Sequence, residues 1–529
     1  METKQIITFS PEAKNKLMAG VDKVANAVKT TLGPKGKPVI FQKHEPVFSL
    51  DGVTVAKNIE QLEDPIENMG ALLIKKVARN SDKDAGDGTT TATILTQAIF
   101  RDGLKAAASG LDMIRIKKGM GEALKIAVEK IKTTAKITNT KEEISNVATI
   151  ASREREIGDM IAEIYDQAGK DAIITVEESK AIGLTKEMVA GLQINKGFVS
   201  PYFANRAETQ DAVLENAFVL CTTQNIRFNS EIVPILELLS RTEHKTLLII
   251  AEDISGEALV TCVRNKIMGI LNICAIKAPG YSDNKKDQLV DIAIATGGEL
   301  ISEETGTRIE DATIEQLGKA DQIIVNRDES VIIGGKGDAE TVKTRIAQLD
   351  ATIKDEDSDY HKSLLEKRVA RLRGSVAIIK VGTITEEENI EKRYRIEDAV
   401  RSAKSAIEEG IVPGAGMMLW QCANEIESKM DIPDIGVRMG YKIVADAIRE
   451  PAKQIIRNSG GNADVILAQI KESGQGYDSN LGIYVFLENS GIIDPAKVVR
   501  TALENAVSVA GLFLTTEAVI SDIKIPEIK

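Results

Sequence analysis

At 529 residues the chain has room for about three or four domains of roughly 100–200 residues each. Hydrophobic residues at 43% and charged residues at 28% are the mix of a soluble globular protein, and with aromatics at 4% the cores must be built from Ala, Ile and Val. The net charge of −12, with no lysine–arginine stripe interleaved with aromatics, excludes a nucleic-acid binder that works through a basic patch.

The first residues, METKQIITFS, lack the basic-then-apolar layout of a signal peptide. In PEAKNKLMAGVDKVANAVKTTLG, Leu17, Val21, Val24 and Val28 recur at helical spacing, and the helix is expected to stop at Gly33-Pro34. That stop, TTLGPKGK, reads either as a bare C-cap or as backbone that contacts a phosphate. Asp51 in SLDG reads as a turn aspartate. ENMGALLIKKVARNSDK repeats the helical pattern with Met69, Leu72, Leu73 and Val77.

DAGDGTTTAT follows, and a helical pattern (Ile94, Leu95, Ala98, Ile99) begins as its threonines end. A loop entering a helix start presents N–H groups without intrahelical partners and the positive end of the helix dipole, a ready anion site. Gly86 and Gly88 let backbone approach a ligand, and Thr89, Thr90 and Thr91 add hydroxyl donors. Asp87 is compatible with a phosphate there if a magnesium ion lies between them. The competing reading is an ordinary helix capped by Asp or Thr. The P-loop pattern GxxxxGK[ST] does not occur in the chain.

From about 190 to 375 the pattern changes. AIITVEE, which lies just before this stretch, TLLIIAED, ILNICAIKA, DQIIVNR and SVAIIKVG are short β-branched runs; with helical stretches such as SEIVPILELLSR and GEALVTCVRNKIMG they predict an inserted α/β domain. The longest nearly apolar run, IMGILNICAI, is about half of the roughly 20 residues a membrane span needs. Cysteines 221, 262, 274 and 422 form no CxxC pair and histidines 44, 244 and 361 are scattered, so zinc and disulfides are not expected and a reducing compartment, the cytoplasm, is. Val342, Ile346, Leu349 and Ile353, then Leu365, Val369 and Leu372, predict a helical hairpin. TITEEENIEKRYRIEDAVRSAKSAIEEG predicts a long helix opened by Thr385 and Glu388 in capping-box spacing, with Val400, Ala403 and Ile407 buried and Asp398 on roughly the opposite face, as a solvated aspartate would be. PAKVVRTALENAVSVAGLFL predicts a last helix.

TTLGPKGK, DGVTVA, ENMGA, DAGDGTTTAT, SPYF, LLIIAED, GEAL, KAPG, RIEDAV, EEGIVPGAG and VAGLFLTTEA stand in the order and spacing of one family. Across essentially its whole length the chain resembles the group I chaperonins, the GroEL family. The resemblance implies a multi-domain α and α/β chaperonin fold. Residues 1–133 and 409–529 would form a helical equatorial ATP-binding domain, 134–189 and 376–408 a small α/β intermediate domain, and 190–375 an inserted α/β apical domain. It implies an ATPase that uses ATP, Mg²⁺ and K⁺. The implied partners are further copies of the chain in two heptameric rings stacked back to back, a GroES-like lid protein, and unfolded polypeptide, with no nucleic acid and no membrane.

By the same resemblance, Asp87 is the magnesium ligand, and Thr31, Leu32, Gly33, Pro34, Gly88, Thr89, Thr90 and Thr91 form the phosphate loops. Asp398 orients and activates the attacking water once the intermediate domain swings down, and Asp51 is a second carboxylate on the γ-phosphate side. Gly414, Ala415, Asp478, Ser479 and Asp494 fall where the family contacts the nucleoside. Phe198, Tyr202, Phe203, Val233, Leu236, Leu259, Val263 and Arg264 match its client groove, for which the lid would compete.

The chain departs from the family pattern at Arg264, where an apolar residue is usual, and at Ala415, which interrupts three glycines. Leu50 replaces a polar residue, Ser375 a second hinge glycine, and SDIKIPEIK lacks the Gly-Gly-Met tail. Two other functions fit less well: a passive binder that keeps the ring without useful turnover, and a small-molecule kinase that shares the nucleotide loops.

Overall fold

The computed structural model describes residues 3–524 apart from 43–45, 139, 171, 180, 207–208, 281–282 and 357. His44 and the last residues of SDIKIPEIK, 525–529, lie outside the described residues. The chain divides into two compact units. The first gathers Met1–Lys170, Glu178–Gly183 and Val381–Lys529; the second holds Asp171–Glu177 and Leu184–Lys380.

The first unit is helical. Leu17, Val21, Val24 and Val28 are buried on the Glu12–Val28 helix, as their spacing requires. This helix crosses the Pro65–Ala85 helix almost backbone to backbone. A Cβ on Gly20 would lie 1.8 Å from the Glu67 carbonyl oxygen, and one on Gly70 2.1 Å from that of Leu17. The glycine contact fixes which face turns inward. Ile66, Gly70, Ile74 and Val77 are buried, and Leu72, expected in the stripe, is 47% exposed. The Ala496–Thr515 helix packs on the Thr89–Ala108 helix, with Phe100 and Phe513 stacked at 4.5 Å. It is long and apolar enough to cross a membrane by length and composition, a feature the sequence reading passed over, but 67% of it is buried among its neighbours. The chain ends meet where Thr3–Phe9 pairs antiparallel with Ala518–Lys524.

The Glu386–Glu409 helix is rotated from its expected setting. Its buried face is Ile396, Ala399, Ala403 and Ala406, with Ser402 and Ser405 beside them, while Val400 and Ile407 are only half-buried. Small serines bury as readily as alanines when their hydroxyls find acceptors, which a count of apolar residues does not see.

The second unit is built on a nine-stranded mixed sheet. Thr246–Ala251 lies parallel to both Asn272–Lys277 and Ala212–Thr222, and its apolar run is buried on both faces, the usual state of a parallel central strand. Gly318–Val325 and Ser330–Gly335 continue the sheet antiparallel. Each of the short β-branched runs is a strand. The predicted hairpin is present as Ala339–Asp355 and Asp359–Leu372. Arg368 on it is buried and donates to Asp291 at 2.7 Å and to Asp287 at 2.7 Å.

Candidate functional site

The glycine–threonine loop of the first unit joins two long helices. Gly86 (φ 72°) ends Pro65–Ala85 and Gly88 (φ 79°) begins Thr89–Ala108, both in the left-handed region that favours glycine. A Cβ on Gly86 would fall 2.3 Å from Cβ of Arg401. Because the N-cap residue is Gly88, no side chain caps this helix. Among the described residues none of the Thr89, Thr90 and Thr91 hydroxyls takes a protein partner. The reading of an ordinary capped helix therefore fails here. Elsewhere Asp51, Asp64, Asp112 and Asn462 do cap their helices.

Three carboxylates converge on this start. Asp87 accepts from the Gly88 N–H at 2.5 Å and from the Ser402 hydroxyl at 2.8 Å. Asp51 caps the Gly52–Asn58 helix, accepting from the N–H groups of Val53 (3.1 Å) and Thr54 (2.7 Å). Its turn presses on the threonines, since a Cβ on Gly52 would lie 2.2 Å from Thr90 Oγ1. Asp398 receives Arg401 Nη2 at 2.6 Å, and the same guanidinium reaches Asp82 and the Gly86 carbonyl. Ser405 donates to the Ala85 carbonyl at 2.8 Å. Asp398, Arg401, Ser402 and Ser405 thus share one face; its serines are buried against the loop, and Arg401 reaches the loop while its side chain stays 44% exposed.

The electrostatics follow from this crowding. Burial raises the Asp87 carboxyl above the usual range, with Asp51 adding to the effect and Gly88, Ser402 and Arg401 opposing it. Burial raises Asp398 further; Asp51 and Asp87 push the same way and Arg401 against. Asp494, on a strand paired with Ile411–Pro413, is pushed up to about 7 by burial and by Asp87. Such a group of acids is relieved by a cation. Among the described residues no three His, Cys, Asp or Glu side chains form a metal cage. The arrangement fits an ion held through one or two carboxylates plus ligand phosphates, the habit of Mg²⁺.

The second loop is held from behind. Thr31 is buried and donates to the Val28 carbonyl at 2.8 Å. Asn458 donates to the carbonyls of Lys29 and Leu32, both at 2.9 Å. Gly33 (φ 83°) and Pro34 lead into a turn closed by Gly36 N–H on the Gly33 carbonyl. Arg153 Nη2 donates to the Thr31 carbonyl at 2.9 Å.

Of the residues expected at the nucleoside, Ala415 and Ser479 line one small cavity with Met417, Ile455 and Tyr477. Ala415 sits at φ 54°, strained for alanine, next to Gly414. Ser479 is buried and its hydroxyl has no protein partner. The Asp478 carboxylate caps its own turn, accepting from Asn480 N–H at 2.8 Å and Leu481 N–H at 3.0 Å.

In the second unit the expected groove needs correction. Tyr202 is 66% exposed, and Phe198, Val233, Leu259 and Val263 are half-buried. Phe203 and Leu236 are buried in the core of the sheet and helices, so they present no surface. The exposed apolar side chains on and just after the Gly256–Ile267 helix are Val260, Ile267, Met268 and Ile270, with Arg264 exposed among them.

Sequence reasoning missed Arg401, Ser402, Ser405, Asn458 and Arg153. The first three carried a signal: with Asp398 they are spaced i, i+3, i+4 and i+7, one polar stripe on a helix.

Fold and site together define a multidomain protein of α and α/β parts whose discontinuous first unit gathers acids at an uncapped helix start. A model of the TCP-1/cpn60 chaperonin family matches residues 24–524. Among solved structures, the chaperonin gp146 of bacteriophage EL 2 (Pseudomonas aeruginosa), crystallised in the presence of ATP-BeFx, is similar with a TM-score of 0.70. Identity is 19%, over 97% of this chain and 99% of that one. A second crystal form gives 0.64 at 20% identity, over 98% and 99%. The chain belongs to the TCP-1/cpn60 chaperonin family and has the chaperonin fold.

Proposed function

We propose that the protein is an ATP-driven folding chaperonin of the group I kind. One observation carries the reading: three aspartates from three segments, Asp51, Asp87 and Asp398, meet at a helix start that no side chain caps. The N–H groups and hydroxyls of Thr89–Thr91 would hold phosphate oxygens, with the Thr31–Pro34 loop alongside. Asp87 would hold Mg²⁺, which when bound neutralises phosphate charge. Asp398 is suited to general-base work because burial and the charges of Asp51 and Asp87 raise its proton affinity above that of an ordinary aspartate. It would take a proton from water as the water oxygen bonds to the γ-phosphorus and the bridging P–O bond breaks, leaving ADP and inorganic phosphate.

On this reading, residues 1–133 and 409–529 are the equatorial domain, 134–189 and 376–408 the intermediate, and 190–375 the apical. The nucleoside would sit by Gly414, Ala415, Ser479 and Asp494, and K⁺ beside the Leu50 carbonyl. Apolar apical side chains would capture unfolded polypeptide in the cytoplasm, within heptameric rings, two of them back to back, closed by a GroES-like lid. The bacteriophage protein crystallised with ATP-BeFx supports the nucleotide part of this reading.

The test is steady-state phosphate release from Mg-ATP, parent beside Asp398→Ala. The expected result is turnover by the parent and loss of about 10²-fold or more in the variant with nucleotide binding kept. A parent no faster than the variant would leave a passive binder, with Ala415→Gly the first change to make.

A further inference from the structure

Arg153 closes the Lys141–Ser152 helix at φ 63°, the left-handed position where glycine or asparagine is the usual residue. An arginine held there carries backbone strain, and such strain persists where a side chain is needed. The side chain crosses to the Thr31 carbonyl at 2.9 Å. Among the described residues its other N–H donors have no protein acceptor. The nearby glutamates are paired elsewhere, Glu154 with Arg395 at 2.9 Å and Lys392 at 3.3 Å, and Glu391 with Arg395 at 3.5 Å. Burial and the Arg395 guanidinium push Arg153 below the usual arginine range, while Glu391 and Asp87 act the other way. So an exposed guanidinium, its remaining donors turned to solvent and crowded by a second guanidinium, is tethered to the phosphate loop.

We propose that Arg153 senses the terminal phosphate of a bound nucleoside triphosphate, exchanging the solvent on its remaining N–H donors for γ-phosphate oxygens and so coupling the Lys141–Ser152 helix to nucleotide state. This rests on the nucleotide reading above. A guanidinium offers two parallel donors to a phosphate, and one that enters a phosphoryl-transfer site stabilises charge on the transferring group. Nothing in the sequence marked it beyond a charged turn, SRERE.

The experiment compares the full-length parent with Arg153→Gly and Arg153→Gln. Calorimetry would follow Mg-ADP and a Mg-bound non-hydrolysable ATP analogue, with melting curves and Mg-ATP turnover alongside. Glycine fits φ 63° better than arginine, so Arg153→Gly should melt no lower than the parent. It should hold ADP within about twofold, bind the triphosphate analogue about tenfold or more weakly, and turn over at least about tenfold more slowly. Arg153→Gln, similar in reach but uncharged, should lose the same discrimination. If both variants keep the parent's triphosphate-to-diphosphate ratio, or if affinity for both nucleotides falls in parallel, Arg153 is only structural. If the parent binds neither nucleotide, the nucleotide reading itself has failed.

Discussion

Asp398 lies 2.6 Å from Arg401 and still holds its proton more tightly than an ordinary aspartate, because burial and the neighbouring charges of Asp51 and Asp87 outweigh one cation. Asp87 and Asp494 are raised for the same kinds of reason, Asp494 to about 7. The sign of the linkage is then fixed. A folded state with raised carboxyl pKa values keeps protons that the unfolded chain has already released, so it loses stability as pH rises. For Asp494 the contribution is full below about pH 4, the unfolded value, and gone once pH passes about 7. The ligand-free protein should therefore lose stability from about pH 4 to 7, and Asp494→Asn should flatten the slope of melting temperature over that range. A variant as steep as the parent would remove Asp494 from this account. A bound divalent ion acts in the opposite sense, since it favours the charged carboxylates.

Ser402, Ser405 and Arg401 seat the Glu386–Glu409 helix on the loop by hydrogen bonds to Asp87, Ala85 and Gly86. A net hydrogen bond is worth about 1 kcal/mol, roughly a fivefold change in a local opening equilibrium. Ser405→Ala should thus lower amide-exchange protection in residues 386–409 about fivefold and leave the Ala496–Thr515 helix unchanged. Equal loss in both helices would mean that Ser405 supports the whole unit and not this seating. The same helix marks the limit of sequence reading. Its existence and its Thr385 cap were legible, but its rotation was not, since Ser402 and Ser405 count as polar and yet are buried. Leu72 was misplaced for a related reason: backbone contact through Gly20 and Gly70, not hydrophobicity, chose the inner face. The 12-residue strand Gly183–Ile194 went unseen because its first half, GLTKEM, alternates mostly exposed and half-buried residues and shows no apolar run. The stretch Asp84–Thr93 was legible because glycines and threonines are too many there for a turn, although the threonines form the first turn of a helix and not a loop before it. Arg153 was not, because its significance lies in a contact with a residue 122 positions away.

At the scale of the molecule the first unit leaves two narrow ribbons with apolar side chains in solvent. On Thr3–Phe9 and its partner Ala518–Lys524, Ile6 is 45% exposed, Ile7 54%, Phe9 66% and Ile520 55%. On the hairpin of Val39–Gln42 and Pro46–Ser49, Ile40 is 57% exposed and Phe48 64%. A two-stranded ribbon is marginal alone, and its free edges invite another strand. Ile6 and Ile7 are adjacent and so face opposite sides, which means the first ribbon shows apolar surface on both faces. No folding of this unit on itself covers these side chains, so in the proposed ring they are the natural contact between neighbouring copies. Phe48→Asp should then lower the mass seen by light scattering toward that of the monomer. It should also weaken any dependence of turnover on more than one ATP, while a single-site activity survives in the separated chains. The charge sits on an exposed position, so the unit's own melting should hardly move. If Phe48→Asp and Ile7→Asp both leave a large particle intact, these ribbons do not join neighbours, and the assembly must be built from other surfaces of the chain.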